Sequence, residues 1–163
     1  MRNAILPILA RLGAVRIVVA SSAPPVKYPD CYGIDMACAG DLVAFQAAVG
    51  LLRKQGKEAV FDEAVRLARR DLAAPEQAQN RMRMIYDAVD EQELHAEIAR
   101  LLTPPDLGAE LRVVFQSCGD LRKCCPEHTG DWYFTGDYPT RGGLLTADRA
   151  LVNFAENKNE RAY

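Results

Sequence analysis

Tyr32-Gly33-Ile34-Asp35 sets a stacking ring, a flexible backbone position and a carboxylate within four residues. These residues lie shortly after a β-branched run, Val15-Arg16-Ile17-Val18-Val19-Ala20. In open parallel sheets, ligands sit beyond the carboxyl ends of the strands, where loops leave the sheet. The loop that follows Ala20 leaves from that edge. Tyr32, Gly33 and Asp35 are therefore candidate ligand-proximal residues. The structural alternative is that Pro24, Pro25 and Pro29 stiffen a surface loop in which Asp35 caps or pairs locally.

The thiols and imidazoles give a weaker signal. Cys118, Cys124, Cys125 and His128 have the residue types of a zinc site. However, adjacent cysteines seldom aim both thiolates at one metal, and the chain has no Cys-x-x-Cys pair. Reduced structural thiols are the favoured reading. His95 stands among Glu91, Glu93 and Glu97, the pattern of a solvated helical face. Neither histidine has a nucleophile or carboxylate constellation beside it in the sequence, so no catalytic residue is assigned. Trp132, Tyr133, Phe134 and Tyr138 form the densest aromatic region. Such a cluster is a small satellite core under a loop, or an interface or nucleotide-stacking surface.

The elements that position these residues follow from periodicity. Ile5, Ile8, Leu9 and Leu12 share one face of a helix over 3–12, with Gly13 as its stop. Val15 to Ala20 lacks polar alternation after Arg16, the mark of a strand buried on both faces of a parallel sheet. That strand is expected to pack against helices 3–12 and 41–55, with Ile17 and Val19 on one face and Val18 on the other. Residues 21–40 form a loop. Asp41 is the expected N-cap of a helix reaching about Gln55, striped by Leu42, Phe45, Val49 and Leu52 and ended by Gly56. A second helix spans 58–71. A third restarts at Ala74-Pro75-Glu76 and continues through Met82, Ile85, Tyr86 and Val89. A fourth carries Leu94, Ile98 and Leu101. Thr103 to Gly108 is a break. Leu111 to Phe115 reads as a short strand, Ser117 or Asp120 as a helix start, 126–143 as irregular, and Leu144 to Phe154 as a last helix.

Composition sets the bounds. The 163 residues are 49% hydrophobic and 26% charged, as in a globular chain. A net charge of −2 with no block of like charges gives no footprint for nucleic-acid binding. No apolar run approaches a membrane span, and Arg11 interrupts the N-terminal apolar stretch too early for a signal peptide. Five cysteines without a disulfide framework suggest a reduced, cytoplasmic protein.

Three segments carry a family resemblance. Ser22-Ala23-Pro24-Pro25-Val26-Lys27-Tyr28-Pro29, followed by Tyr32-Gly33-Ile34-Asp35-Met36, resembles the part of amidophosphoribosyltransferases that comes after their diphosphate-binding loop. Val113-Val114-Phe115-Gln116-Ser117 with Asp120-Leu121 is similar to a later strand and helix start of that family. Phe134-Thr135-Gly136-Asp137-Tyr138-Pro139-Thr140 is similar to the end of one branch. The resemblance implies an α/β fold: a partial type I phosphoribosyltransferase-like parallel sheet with a helical insertion and an irregular carboxyl-terminal region. Residues 1–56 would be the tail of the transferase core, 57–109 the insertion, and 110–163 the carboxyl-terminal strand, helix and aromatic-rich loops. The implied parent reaction makes phosphoribosylamine from phosphoribosyl diphosphate and glutamine, with Mg²⁺, in purine nucleotide biosynthesis. The family's N-terminal nucleophilic cysteine and its acidic Gly-Thr-Thr diphosphate loop are missing from residues 1–163, so the chain is expected to be inactive alone. Its partner would be the missing upstream half, or a second copy through an unpaired strand edge, with a purine nucleotide as a possible ligand. One branch holds an iron–sulfur cluster. Here Asp30 and not Cys31 stands two before Tyr32, and Gly130 and Tyr133 occupy the other ligand positions. No such cluster is expected. The rivals are a stand-alone nucleotide-binding regulatory module and a thiol metal module at Cys118 to His128.

Overall fold

A computed structural model describes residues 2–33, 36–127, 130–158 and 160–162. It is a mixed helix and sheet structure, with a two-stranded parallel sheet and eight α-helices among the described residues. The helices are α1 (Ile5–Arg11), α2 (Val43–Lys54), α3 (Glu58–Ala73), α4 (Arg83–Asp87), α5 (Glu91–Leu102), α6 (Cys118–Cys124), α7 (Trp132–Thr135) and α8 (Arg141–Ala155). The strands are β1 (Arg16–Ser21) and β2 (Glu110–Phe115), in the register Arg16 opposite Glu110 to Ser21 opposite Phe115.

The main core is helical. Leu42, Phe45, Val49 and Leu52 are all buried, as their spacing predicts, and they pack with residues of α3, α4, α5 and α8. The 57–109 segment thus supplies Ala64, Val65, Ala68, Ile85, Leu94 and Ile98 to the same core as α2 and α8. Local chemistry fixes several boundaries. Asp90 caps α5 by accepting from Gln92 N and Glu93 N, Ser117 caps α6, and Thr140 caps α8. Glu97 of α5 is buried yet receives Arg100 at 2.8 Å and Lys54 of α2 at 2.6 Å. The Arg100 hydrogen bond, with help from Lys54, outweighs burial and holds its carboxyl below the ordinary range.

Several expectations need correction. Asp41 is not a cap: it ends a 3-10 turn, Ala39–Asp41, and Leu42 occupies the N-cap position of α2 without a side-chain bond. The third helix breaks into a 3-10 turn at Pro75–Gln77 and the short α4, because the chain between them turns to meet α3 and α8. His95 is not on a solvated face: β2 lies along α5, and the imidazole stacks on Phe115 at 4.9 Å. Residues 126–143 contain α7.

The largest difference lies in the α1–β1–β2 unit. Leu6, Ile17 and Leu107 form a second small core, joined by Ala10, Ala14, Val19 and Leu111, with no residue of α2 in it. Ile17 and Val18 lie on opposite faces as expected, but Val18 is 56% exposed, so β1 is not buried on both faces. The register puts Arg16, Val18, Ala20, Glu110, Arg112 and Val114 on one exposed face. Each strand has one neighbour, so each has an outer edge that pairs with no strand among the described residues. The α1 stripe is reversed as well. Leu6 is buried, whereas Ile5, Ile8, Leu9 and Leu12 are exposed. Periodicity shows which residues share a face, not what that face meets.

This contrast is measurable by urea unfolding. Leu52→Ala, wholly buried, is expected to cost ~2–5 kcal/mol from lost transfer and cavity terms. Leu12→Ala, 79% exposed, is expected to change stability by under ~0.5 kcal/mol. Equal costs would contradict the reversed stripe.

Candidate functional site

Both strands end at the same side of the sheet, as parallel strands must, and the loop after β1 leaves from there. The first loop is not a surface loop. Pro24, Pro25, Tyr28, Pro29 and Asp30 are buried. Its prolines lack backbone donors, and its main chain is held from outside. Lys27 N and Tyr28 N donate to Tyr133 O at 2.8 and 3.1 Å. Tyr86 OH donates to Lys27 O at 2.6 Å, and Tyr138 OH to Pro29 O at 2.5 Å. Tyr133 OH donates to Asp30 Oδ1 at 2.7 Å, while Asp30 Oδ2 accepts from Tyr32 N at 3.1 Å.

The phenols are kept protonated by their surroundings. Burial pushes Tyr86, Tyr28 and Tyr138 well up, and burial with the Asp30 carboxylate raises Tyr133 to about 12. Tyr86, Tyr133 and Tyr138 are fixed donors throughout the physiological range. Tyr28 and Tyr86 also meet edge to face at 5.2 Å.

Tyr32 and Gly33 project from this anchored base. Tyr32 is 55% exposed and lies against Trp132 at 5.6 Å, which in turn lies 5.6 Å from Tyr133. Gly33 has φ +90° with nothing within 4 Å of where a Cβ would stand. Asp35, the third candidate, lies outside the described residues. Lys27 supplies a half-buried cation, 5.8 Å from the Tyr86 ring and 3.9 Å from exposed Glu91. The tilted Tyr32–Trp132 pair beside an open glycine offers a stacking surface for a flat ring.

Three of the thiols, Cys31, Cys38 and Cys118, are not activated. Burial raises Cys31, Cys38 and Cys118, and the charges of Asp30 and Asp41 add to it at the first two. A nucleophilic thiolate requires the opposite shift. Among the described residues no group of three or more His, Cys, Asp or Glu side chains could hold a metal ion. His128, the fourth member of the proposed thiol set, lies outside them. No described helix is long and apolar enough to cross a membrane.

Sequence reasoning singled out Tyr32, Gly33 and the aromatic cluster, but missed Tyr86 and the anchoring role of Asp30. Only the prolines hinted that this loop must borrow donors. Gly136 is a tight point at the base of this loop. With φ +76°, it accepts at its carbonyl from Asn80 Nδ2, and an added Cβ would lie 2.5 Å from that nitrogen and 2.7 Å from the Tyr28 ring. No family model matches the chain, and no curated protein or solved structure matches it.

Two glycine variants separate the base from the tip. Gly136→Ala combines left-handed strain of ~1–2 kcal/mol with overpacking of ~1–3 kcal/mol. Gly33→Ala, in open space, should cost only the strain, ~1–2 kcal/mol. Thermal or urea unfolding of both proteins checks the order. A Gly136→Ala protein no less stable than Gly33→Ala would contradict this geometry.

Proposed function

We propose that this chain is the carboxyl-terminal part of an amidophosphoribosyltransferase-like enzyme of purine nucleotide biosynthesis. The reaction of the parent enzyme is the glutamine-dependent displacement of diphosphate from phosphoribosyl diphosphate, giving phosphoribosylamine. One observation carries the reading. The three segments that bear the resemblance converge: 22–33 follows β1, 113–117 forms the end of the paired strand β2, and 134–140 folds onto 28–30. Two of them, around 28–30 and 136–138, are in direct contact although more than 100 residues apart, which supports reading them as parts of one unit. The finer fold, a type I phosphoribosyltransferase core continued by further parallel strands, belongs to this proposal. Two parallel strands seldom stand alone, since parallel sheets are normally covered on both faces.

In this reading the chain is scaffold and ligand-proximal loop, with no catalytic residue of its own. Glutamine hydrolysis and diphosphate binding belong to elements that residues 1–163 do not contain. Mg²⁺ belongs to the parent reaction, and the described carboxylates do not converge to hold it. The upstream half is the proposed partner. It would cover Ile5, Ile8, Leu9 and Leu12, the outer face of Val18 and Val114, and an open strand edge. A second copy of the chain is the other candidate cover. A stand-alone nucleotide-binding module is the second reading, favoured by the exposed Tyr32 ring on Trp132.

Turnover and binding separate the two readings. The purified chain is expected to release no diphosphate from phosphoribosyl diphosphate with ammonia or glutamine, and such release would overturn the fragment reading. Trp132 is the sole tryptophan, so its fluorescence reports on the Tyr32 surface. Tight quenching by a purine nucleotide, lost in Tyr32→Ala, favours the stand-alone module. The coding sequence upstream of Met1 decides the fragment reading: an in-frame acidic pair leading into Arg-Gly-Thr-Thr is expected there, and its absence contradicts the proposal.

A further inference from the structure

Two wholly buried carboxyl groups, one on α3 and one on α8, both bond to Arg81, and their surroundings differ. Asp71 of α3 is surrounded by donors: Arg70 Nε and Nη2 at 3.0 and 2.8 Å, Arg81 Nε at 2.7 Å, and Gln79 N at 3.3 Å. Burial pushes its carboxyl up, but the two guanidiniums outweigh that and leave it below the ordinary range. Asp148 of α8 is equally buried and has one bond, from Arg81 N to Oδ1 at 2.8 Å. Its Oδ2 has no partner. The adjacent Asn80 is also buried. Its Nδ2 donates to Gly136 O at 3.1 Å, and its Oδ1 has no partner.

An ionised carboxylate sealed from water with a single N–H donor is strongly disfavoured. A neutral acid in the same place is not, because the unpartnered Oδ2 becomes a donor in a region that holds an acceptor without one. We propose that Asp148 is a proton-operated clamp: as a neutral acid it fastens α8 to the 79–83 segment, and as a carboxylate beside Asp71 it loosens that joint. The charged groups acting on it are Asp71 from α3 and Arg81 from the segment before α4, with Arg70 behind Asp71. Glu76 and Asp41, on the two turns packed against α8, are exposed. Burial first, and then the Asp71 charge, raise the Asp148 carboxyl to about 7, against the lowering effect of the Arg81 N–H and guanidinium.

The joint leads to a surface. Residues 78–81 line a cleft of about 630 Å³ together with Arg83, Gly136, Asp137 and Tyr138. Asn80 ties this cleft to Gly136, and Tyr138 ties it to the Pro29 carbonyl. The proton on Asp148 thus acts on the same frame that anchors the 27–33 loop. Because the folded chain holds this proton more tightly than the unfolded one, its contribution to stability is full below the ordinary aspartate range. It is lost as pH rises through about 7.

Amide hydrogen exchange on the full chain tests the clamp. After correction for intrinsic rates, protection of residues 79–87 is expected to fall about tenfold or more between about pH 6 and about pH 8.5. In Asp148→Asn, a neutral isostere, it should stay at the low-pH level throughout. Unchanged wild-type protection, or the same fall in the variant, would overturn the proposal. Should the variant fail to fold, a ¹³C titration of the wild-type Asp148 carboxyl decides. A midpoint above about pH 6 supports the clamp, and one below that value overturns it.

Discussion

The 27–30 loop is proline-flanked and buried, and it cannot satisfy its own main chain by helix or sheet. Three phenols solve this problem. Tyr86 on α4, Tyr133 on α7 and Tyr138 beyond α7 donate to the Lys27 carbonyl, the Asp30 carboxylate and the Pro29 carbonyl. The Tyr133 carbonyl in turn accepts from Lys27 N and Tyr28 N. A buried acceptor left without its donor costs about 1–3 kcal/mol, so each phenol is required once the others are in place. Everything proposed for the strand-end surface depends on this joint. Tyr32 and Gly33 are presented at a defined position because the residues before them are fixed.

The same joint explains why the chain binds its ends together. Gly136 must be glycine, since Tyr28 and Asn80 close over it. Asn80 in turn connects to the Asp71–Arg81–Asp148 group under α8. A continuous polar path therefore runs from the strand-end loop through the 132–138 segment into the helical body. Buried polar networks of this kind cost little when fully satisfied and much when one member is lost. The two acceptors without partners, on Asn80 and Asp148, mark where this network is strained and where a proton has the most effect.

Helix α2 was legible in the sequence because its stripe is wide and meets the core directly. Gly13 and Gly56, both at positive φ, were legible as stops for the same local reason. The sequence was silent on direction. The stripe on α1 and the run in β1 have the pattern of buried elements, yet Ile8, Leu12 and Val18 face outward. A pattern encodes a need for cover, and the described residues do not supply that cover. Asp71 and Asp148 escaped notice, and Glu97 was read as solvated though it is buried, for the opposite reason. Single acidic residues in helices look solvated, and it is the tertiary approach of Arg81 to Asp71 and Asp148, and of Lys54 to Glu97, that makes them buried partners. His95 was misread in the same way, since Phe115 arrives from a distant strand.

The central claim is that separate tyrosines hold one rigid loop. A double-mutant cycle with Tyr86→Phe and Tyr138→Phe, read by urea unfolding, tests it most directly. Each single change removes one donor to the loop, at Lys27 O or Pro29 O. If the loop is a single body, the two losses couple by at least ~0.5 kcal/mol. Losses that add within ~0.3 kcal/mol would show that the two ends of the loop are held independently, and would contradict the account.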